Sequence, residues 1–156
     1  YLQPAGRTTF AQLAATIESL SIPWSVDPSS AEMLASQCRR KDVATAFEGA
    51  SILFPSEDEA GWLAGVDDPT AAAERLLDLS ETVVVTCGAD GAVIARRGVP
   101  TFHVPAAPTD LVNTLGCGDA FAGGFLSGRV QGLDDRASAA GAAEVAARAA
   151  RSAGSR

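Results

Sequence analysis

The segment with the clearest capacity for chemistry is Gly116-Cys117-Gly118-Asp119, where a loop is predicted to lead into a helix. The two glycines let a phosphate approach the backbone closely, and the N–H groups of Gly116, Cys117 and Gly118 can all point outward there. The first turn of the helix adds unpaired N–H groups and a partial positive charge. The segment therefore predicts a phosphate site that needs no lysine.

Asp119 places a negative charge where the anion would lie. That charge opposes binding of a phosphate, but it suits a general base that removes a proton beside a phosphoryl group. The alternative is structural: the segment is an ordinary loop and helix start, in which Asp119 only complements the helix dipole. The local residues support the two interpretations equally. The dinucleotide fingerprint GxGxxG does not fit, because its last glycine would fall on Phe121.

Composition limits the classes of protein that could carry this segment. The chain has 156 residues, 47% of them hydrophobic, and 12 Lys+Arg against 19 Asp+Glu give a net charge of -7. This indicates one globular domain and argues against nucleic acid as a partner, because such binding depends on neutralising phosphates. No apolar run approaches the length of about 20 residues that a bilayer span requires, so no membrane partner is expected.

The cysteines, the histidine and the lysine exclude several familiar sites. Cys38, Cys87 and Cys117 form no CxxC pair, which predicts neither a zinc site nor a disulfide framework and favours a reducing, cytoplasmic location. Lys41 is the only lysine and does not follow a glycine, so a P-loop is excluded. His103, the only histidine, excludes the HExxH motif; it is predicted as a strand residue, the alternative being a catalytic or ligand role.

The elements that must position these residues alternate between helix and strand, which predicts an α/β fold: a three-layer sandwich around a mostly parallel sheet, with a late antiparallel hairpin. Hydrophobic periodicity, caps and turn residues predict helices over 9–20, 30–40, 56–63, 69–79, 119–127 and 134–151, and strands over 22–27, 51–54, 82–87, 92–96 and 101–104. The hairpin turn is Gly88-Ala89-Asp90-Gly91.

Four segments follow one another in an order typical of a known family. They are Asp27-Pro28 at a strand end, Ser56-Glu57-Asp58-Glu59, the strand and turn from Val83 to Ala92, and Asn113 through Phe121. They resemble the Asp-Pro-Asn, Asn-x-x-Glu, Thr-x-Gly and Asp-Thr-x-Gly-Ala-Gly-Asp-Ala-Phe motifs of the ribokinase-like (pfkB) carbohydrate kinases. The resemblance covers residues 22 to 150.

This resemblance implies ATP-dependent transfer of the γ-phosphate to a sugar hydroxyl, with Asp119 as the base. The N–H groups of Gly116, Cys117 and Gly118 would form the anion hole for the phosphoryl group. It further implies that Thr86, Gly88 and Gly91 line the nucleotide, that Asn113 takes part in cofactor binding, and that Glu59 acts on Mg²⁺ through water.

The departures from the family pattern leave parts of the function open. Asn113 replaces an aspartate that helps to shape a monovalent-cation site, so activation by potassium is left open, and an asparagine there also occurs in sugar-phosphate kinases. Ser56 replaces an asparagine, and Ser56 with Glu59 is also a capping box that would merely close a helix. Cys117 replaces the commoner alanine. No arginine follows Asp27-Pro28, which argues against ketodeoxygluconate as the acceptor.

The resemblance also implies that residues 1–156 form one α/β domain, the nucleotide-binding C-terminal half of a longer kinase. The N-terminal sugar-binding half and its β-sheet lid, through which family members commonly dimerise, have no counterpart here. Three hypotheses follow: a kinase, a catalytically incomplete nucleotide-binding fragment or remnant, and an unrelated α/β protein. For the kinase, the acceptor is a sugar, a sugar phosphate or a nucleoside.

Overall fold

The computed structural model describes residues 4–151, and within them it contains seven α-helices, one 3₁₀ turn at Gly88–Asp90 and five strands. The helices are α1 (Pro4–Ser19), α2 (Ala31–Gln37), α3 (Arg40–Phe47), α4 (Glu57–Ala64), α5 (Pro69–Leu76), α6 (Cys117–Val130) and α7 (Asp135–Ala150). The strands are β1 (Ser25–Val26), β2 (Ala50–Leu53), β3 (Ser80–Thr86), β4 (Ala92–Arg96) and β5 (Val99–Val104). No helix in the described part of the chain has both the length and the apolar character needed to cross a bilayer.

The strands form one sheet in the order β1-β2-β3-β4-β5. β1, β2 and β3 are parallel, with Ile52 opposite both Ser25 and Thr82, and the strands at the β5 end of the sheet are antiparallel. The predicted α/β class, with a mostly parallel sheet and a late antiparallel hairpin, is confirmed. β1, β2 and β3 can run parallel because the helices between them carry the chain back to the start of the next strand.

Capping residues fix the starts of α4 and α5, as predicted. The hydroxyl of Ser56 accepts the N–H of Glu59, and Gly65 ends α4 in the left-handed region at φ 70°. Asp68 caps α5 and Pro69 occupies its first turn. α5 ends at Leu76, three residues earlier than predicted, because the N–H groups of the following residues form tighter turns.

Three other predicted elements were wrong in extent. The helix predicted over 9–20 begins at Pro4, and the strand predicted over 22–27 shortens to the two residues of β1. The helix predicted over 30–40 ends at Gln37, because Cys38 and Arg39 adopt extended backbone conformations, and α3 after them was not predicted. In α3, Val43 and Phe47 are buried four residues apart, a helical spacing that sequence reasoning did not use.

Contacts divide the described residues into two compact units, each of which includes part of the sheet. One runs from the start of the described chain to Val85 and includes Ala95–Thr101; the other comprises Thr86–Ile94 and the chain from Phe102 onward. That the chain is one domain stays a prediction. In the first unit, Val83, Val84 and Val85 have no exposed surface, as predicted for a strand covered on both faces.

In the second unit, α6 and α7 pack through their smallest residues. A Cβ placed on Gly124 would lie 2.9 Å from the Cα of Ala142 and 3.2 Å from Cγ2 of Val145. A Cβ on Gly128 would lie 2.8 Å from the hydroxyl oxygen of Ser138. The glycines therefore allow the two helix backbones to approach closely, which offsets their cost of about 1 kcal/mol each in a helix interior.

We expect Gly124→Ala to lower the free energy of unfolding by about 1–2 kcal/mol, because overpacking outweighs the gain in helix propensity. Gly123 is the matched control: it is exposed on the same helix and an added Cβ would meet nothing within 4 Å. Gly123→Ala should leave stability unchanged or raise it by up to about 1 kcal/mol. Urea unfolding of both variants checks this, and equal effects would contradict the packing account.

Candidate active site

The loop before α6 is fixed to the end of α7 by backbone hydrogen bonds. The N–H groups of Val112 and Asn113 both donate to the carbonyl oxygen of Ala150, at 2.8 and 3.0 Å. Oδ1 of Asn113 accepts the N–H of Leu115 at 3.0 Å, closing an Asx turn. The loop therefore holds a defined path into Gly116. Asn113 has this structural role, and its predicted part in cofactor binding stays a prediction.

Gly116 begins α6 in a conformation that other residues rarely adopt. It lies in the left-handed region, with φ 80° and ψ 1°, and no side chain caps the helix. A Cβ on Gly116 or on Gly118 would meet nothing within 4 Å, and both residues are exposed. A ligand can therefore approach the backbone at this end of the helix.

The backbone N–H groups at the start of α6 are only partly used within the protein. The N–H of Cys117 donates to the carbonyl oxygen of Thr114 at 3.2 Å, and that of Ala120 donates to Gly116 at 2.9 Å. Over residues 4–151, no acceptor is found for the N–H groups of Gly116, Gly118 and Asp119. The expectation that the N–H of Cys117 points outward is therefore wrong: a phosphate would compete with Thr114 for it.

Asp119 lies in the first turn of α6 and is exposed. Its carboxylate makes no ion pair or hydrogen bond with the described residues, so both oxygens are available to a substrate. The side chain and the unpaired N–H groups belong to one continuous segment of the second unit. The structure thus brings together a free carboxylate and three free backbone donors over four residues.

The predicted nucleotide-lining residues lie in the same unit, at the β3–β4 turn. Gly88 is exposed, has φ 56°, and an added Cβ would meet nothing within 4 Å, which leaves space for a ligand. Thr86 is half-buried at the end of β3. Gly91 has φ 97° and is buried, and a Cβ there would collide with the backbone of Val104 and Ala106. Gly91 is therefore required by packing, and a nucleotide contact for any of the three stays a prediction.

His103 is an exposed residue of β5, so it is a strand residue as predicted. Its Nε2 makes a hydrogen bond with the carbonyl oxygen of Asp90 in the β3–β4 turn. The side chain thus ties the hairpin turn to the next strand, which is a structural role. Cys38, Cys87 and Cys117 form no disulfide bond in the described structure, and all three are half-buried.

Glu59, the predicted magnesium residue, belongs to the first unit and is 6% exposed. Its Oε2 accepts the N–H of Ser56 at 2.8 Å, and its own N–H donates to the Ser56 hydroxyl at 3.4 Å. The structural alternative, a capping box at the start of α4, is therefore present. Burial raises the pKa of the Glu59 carboxyl above its ordinary value of 4.5, and the charges of Asp27 and Asp58 raise it further.

The surroundings of Glu59 suit a hard cation in part. Asp27 lies near enough to influence the Glu59 charge, and carboxylate oxygens are the ligands that Mg²⁺ prefers. Over the described residues, no cluster of three or more His, Cys, Asp or Glu side chains could hold a metal by itself. Mg²⁺ is commonly bound by one or two carboxylates, waters and substrate phosphates, and Glu59 fits that limited role.

We expect Glu59→Gln to change the pH dependence of stability. A carboxyl with a raised folded pKa stabilises the folded state below its unfolded pKa, and this contribution is lost as pH rises through the folded pKa. The glutamine keeps an acceptor for the Ser56 N–H but has no charge. The free energy of unfolding of the wild type should therefore fall relative to the variant as pH rises above 4.5.

Urea unfolding across this pH range measures the difference. Glu57→Gln, on an exposed residue in the first turn of α4, is the control and should show no such trend. A wild type that gains stability over Glu59→Gln with rising pH would contradict the assigned direction of the shift.

Sequence reasoning missed the contacts that anchor the active-site loop. The bonds from Val112 and Asn113 to Ala150 join residues far apart in the chain, and neither side chain takes part. Arg151 adds a bond from its Nη2 to the carbonyl oxygen of Pro108 at 3.0 Å. Backbone contacts of this kind leave no signal in residue types.

The family model for the pfkB family of carbohydrate kinases matches residues 2–156. The chain belongs to this family. It is 34% identical to the fructokinase of Klebsiella pneumoniae over an alignment of 142 residues, and this alignment covers 88% of this chain and 46% of that protein. It is also 35% identical over 94 residues to the ATP-dependent 6-phosphofructokinase of Thermoanaerobacterium thermosaccharolyticum strain ATCC 7956, covering 60% of this chain and 29% of the relative.

The fold agrees with solved pfkB-type structures. The ribokinase of Arabidopsis thaliana, solved with ribose and ATP, matches with a TM-score of 0.80 over 96% of this chain and 48% of that one, at 20% identity. That likeness shows a shared ribokinase-like fold. The pfkB chain described here spans less than half the length of each of these three proteins.

Proposed function

We propose that this pfkB-family chain carries the phosphoryl-transfer centre of an ATP-dependent sugar kinase. Asp119 is the base, and the backbone at Gly116–Gly118 is the anion hole. The observation that carries the proposal is the start of α6: three N–H groups without acceptors, over two glycines with open space, beside an exposed carboxylate. Every helix start leaves N–H groups unpaired, so the specific feature of this one is the pair of open glycines beside an exposed carboxylate.

The chemistry follows from these groups. The sugar hydroxyl gives its proton to the carboxylate of Asp119 while its oxygen forms a bond to the γ-phosphorus of ATP. The bond from that phosphorus to the bridging oxygen breaks, and ADP leaves with the electron pair. The N–H groups of Gly116 and Gly118 donate to the oxygens of the transferred group, where negative charge is concentrated. The N–H of Asp119 is a third donor in the same turn.

Magnesium would neutralise charge on the phosphates of bound ATP. We also propose that Glu59 acts on magnesium through coordinated water, because a buried carboxylate with a raised pKa gains from a nearby cation. Thr86 and Gly88 are proposed to line the nucleotide. Asn113 keeps the turn before Gly116 in place, and activation by a monovalent cation is not required by this account.

The acceptor is proposed to be a sugar, with a sugar phosphate or a nucleoside as the alternatives. The relatives with more than 30% identity include a fructokinase and a 6-phosphofructokinase, whose names give a sugar and a sugar phosphate as acceptors. A reducing compartment such as the cytoplasm is proposed as the location, because the three scattered cysteines of the sequence show no pairing pattern of a disulfide framework.

A second candidate is a nucleotide-binding chain that lacks turnover. It is favoured by the engagement of Glu59 in the capping box of α4, which already uses the carboxylate within the protein. Calorimetry with Mg–ATP and a coupled assay for ADP release with D-fructose and D-fructose 6-phosphate separate the two. Binding of Mg–ATP with sugar-dependent ADP release supports the kinase. Binding without ADP release supports the second candidate. If Mg–ATP does not bind and no ADP is released, both candidates are contradicted.

A further inference from the structure

Loop 111–115, the segment Leu111–Leu115 before Gly116, exposes large apolar side chains next to the proposed anion hole. Leu115 is 83% exposed, and Leu111 and Val112 are 64% and 61% exposed. The backbone of the loop is held by the bonds from Val112 and Asn113 to Ala150 and by the Asx turn at Asn113. The apolar side chains are thus presented to solvent from a fixed backbone, at a cost in hydration that a bound partner would remove.

We propose that Leu115 is a specificity-determining residue that packs against the carbon skeleton of the acceptor sugar. The inference rests on the function proposed above, which places the transferred phosphoryl group on the N–H groups of Gly116 and Gly118. Leu115 directly precedes Gly116, so their Cα atoms are about 3.8 Å apart. The bond from the N–H of Cys117 to the carbonyl oxygen of Thr114 closes a turn that contains both Leu115 and Gly116.

The acceptor, and not the nucleotide, is the part of the complex that lies nearest to such a side chain. In the transfer, the acceptor oxygen is bonded directly to the phosphorus, and the carbon that bears it is one bond further. The adenosine of ATP is separated from the same phosphorus by two more phosphates. The residues proposed to line the nucleotide, Thr86 and Gly88, also belong to a different segment, the β3–β4 turn.

The apolar character of Leu115 sets what it can recognise. A leucine at this position contributes contact area and no hydrogen bond, so it favours the C–H face of a sugar over its hydroxyl edge. Covering such a side chain with ligand carbon changes affinity by about tenfold. We therefore expect Leu115→Ser to raise KM for the acceptor about tenfold, with kcat and KM for Mg–ATP within about twofold of the wild type.

Two variants make the kinetic result specific. Leu115→Met keeps an apolar side chain of similar volume and should restore most of the acceptor KM. Leu111→Ser is the matched control, because Leu111 is the same residue type with similar exposure in the same loop. It should leave both KM values unchanged. An increase in KM for Mg–ATP in Leu115→Ser would overturn the inference, since it would place the side chain against the nucleotide.

A binding readout keeps the test independent of turnover. The chain is labelled with ¹³C at leucine methyl groups, and the signals of Leu115 and Leu111 are assigned from the two serine variants. Mg–ADP is added first, then D-fructose or D-fructose 6-phosphate. We expect the Leu115 methyls to shift on addition of a sugar, while those of Leu111 do not. A Leu115 signal that responds to neither sugar, or only to Mg–ADP, overturns the inference.

The outcomes also separate this inference from the proposed function. If Mg–ADP binds and a sugar is phosphorylated while Leu115 is silent in both readouts, the inference alone fails. If neither Mg–ADP nor a sugar binds, the proposed function fails, and the assignment of Leu115 fails with it.

Discussion

Asp119→Asn is expected to lower the rate of phosphoryl transfer by about 10³-fold. The asparagine has nearly the same shape as the aspartate but cannot accept the proton of the acceptor hydroxyl. Because Asp119 is exposed and makes no bond with the described residues, its replacement should leave the fold unchanged and lower the free energy of unfolding only by the lost helix-dipole interaction, at most about 1 kcal/mol. The large effect should therefore appear in kcat.

The affinity of Asp119→Asn for nucleotide should be equal to or higher than that of the wild type. Asp119 places a negative charge in the first turn of α6, near the proposed phosphate, so its removal lessens repulsion. We expect the Kd for Mg–ATP, measured by calorimetry, to be equal to or lower than that of the wild type. Asp110→Asn, on another exposed aspartate of the same loop region, is the control and should keep full turnover. Unchanged turnover in Asp119→Asn would remove Asp119 from the role of base.

Gly118→Ala is expected to separate stability from activity. An added Cβ meets no protein atom within 4 Å, and alanine is the better helix former, so the free energy of unfolding should stay the same or rise by up to about 1 kcal/mol. The same methyl group occupies the open space through which a phosphoryl group would approach the backbone. Loss of one such donor contact should lower kcat/KM by about 10²-fold or more.

Gly123→Ala is again the matched control for Gly118→Ala. Both glycines belong to α6, both are exposed and neither has an atom within 4 Å of an added Cβ. Coupled assays and urea unfolding on the two variants give the comparison. If Gly118→Ala were as active as Gly123→Ala, close approach of a ligand to this backbone would be ruled out.

The parts of the fold that the sequence predicts well are those with local signals. Ser56 and Glu59 start α4, and Gly65 ends it, because each acts through its own side chain or its own φ angle. The strand at Val83–Val85 was predicted for a similar reason, since a continuous β-branched run indicates burial on both faces.

The parts that could not be predicted depend on tertiary contacts. Cys38 and Arg39 carry no turn signal, yet their extended conformations separate α2 from α3. From the sequence alone, Gly124 is only an unfavourable helix residue; its reason, the close approach of Ala142 of α7, is visible only in the structure. The candidate site shows the same division. Glycine and aspartate identify the start of α6, whereas the pairing of the Cys117 N–H with Thr114 is a matter of loop geometry.

The most direct test of the central claim is the backbone amide spectrum of ¹⁵N-labelled protein titrated with Mg–ATP. If the backbone N–H groups of Gly116 and Gly118 donate hydrogen bonds to the phosphoryl group, their signals should shift downfield as they acquire a charged acceptor. The signals of Gly123 and Gly132, which lie further along the same stretch of chain, should stay in place. Saturable nucleotide binding that leaves Gly116 and Gly118 unmoved would contradict the account.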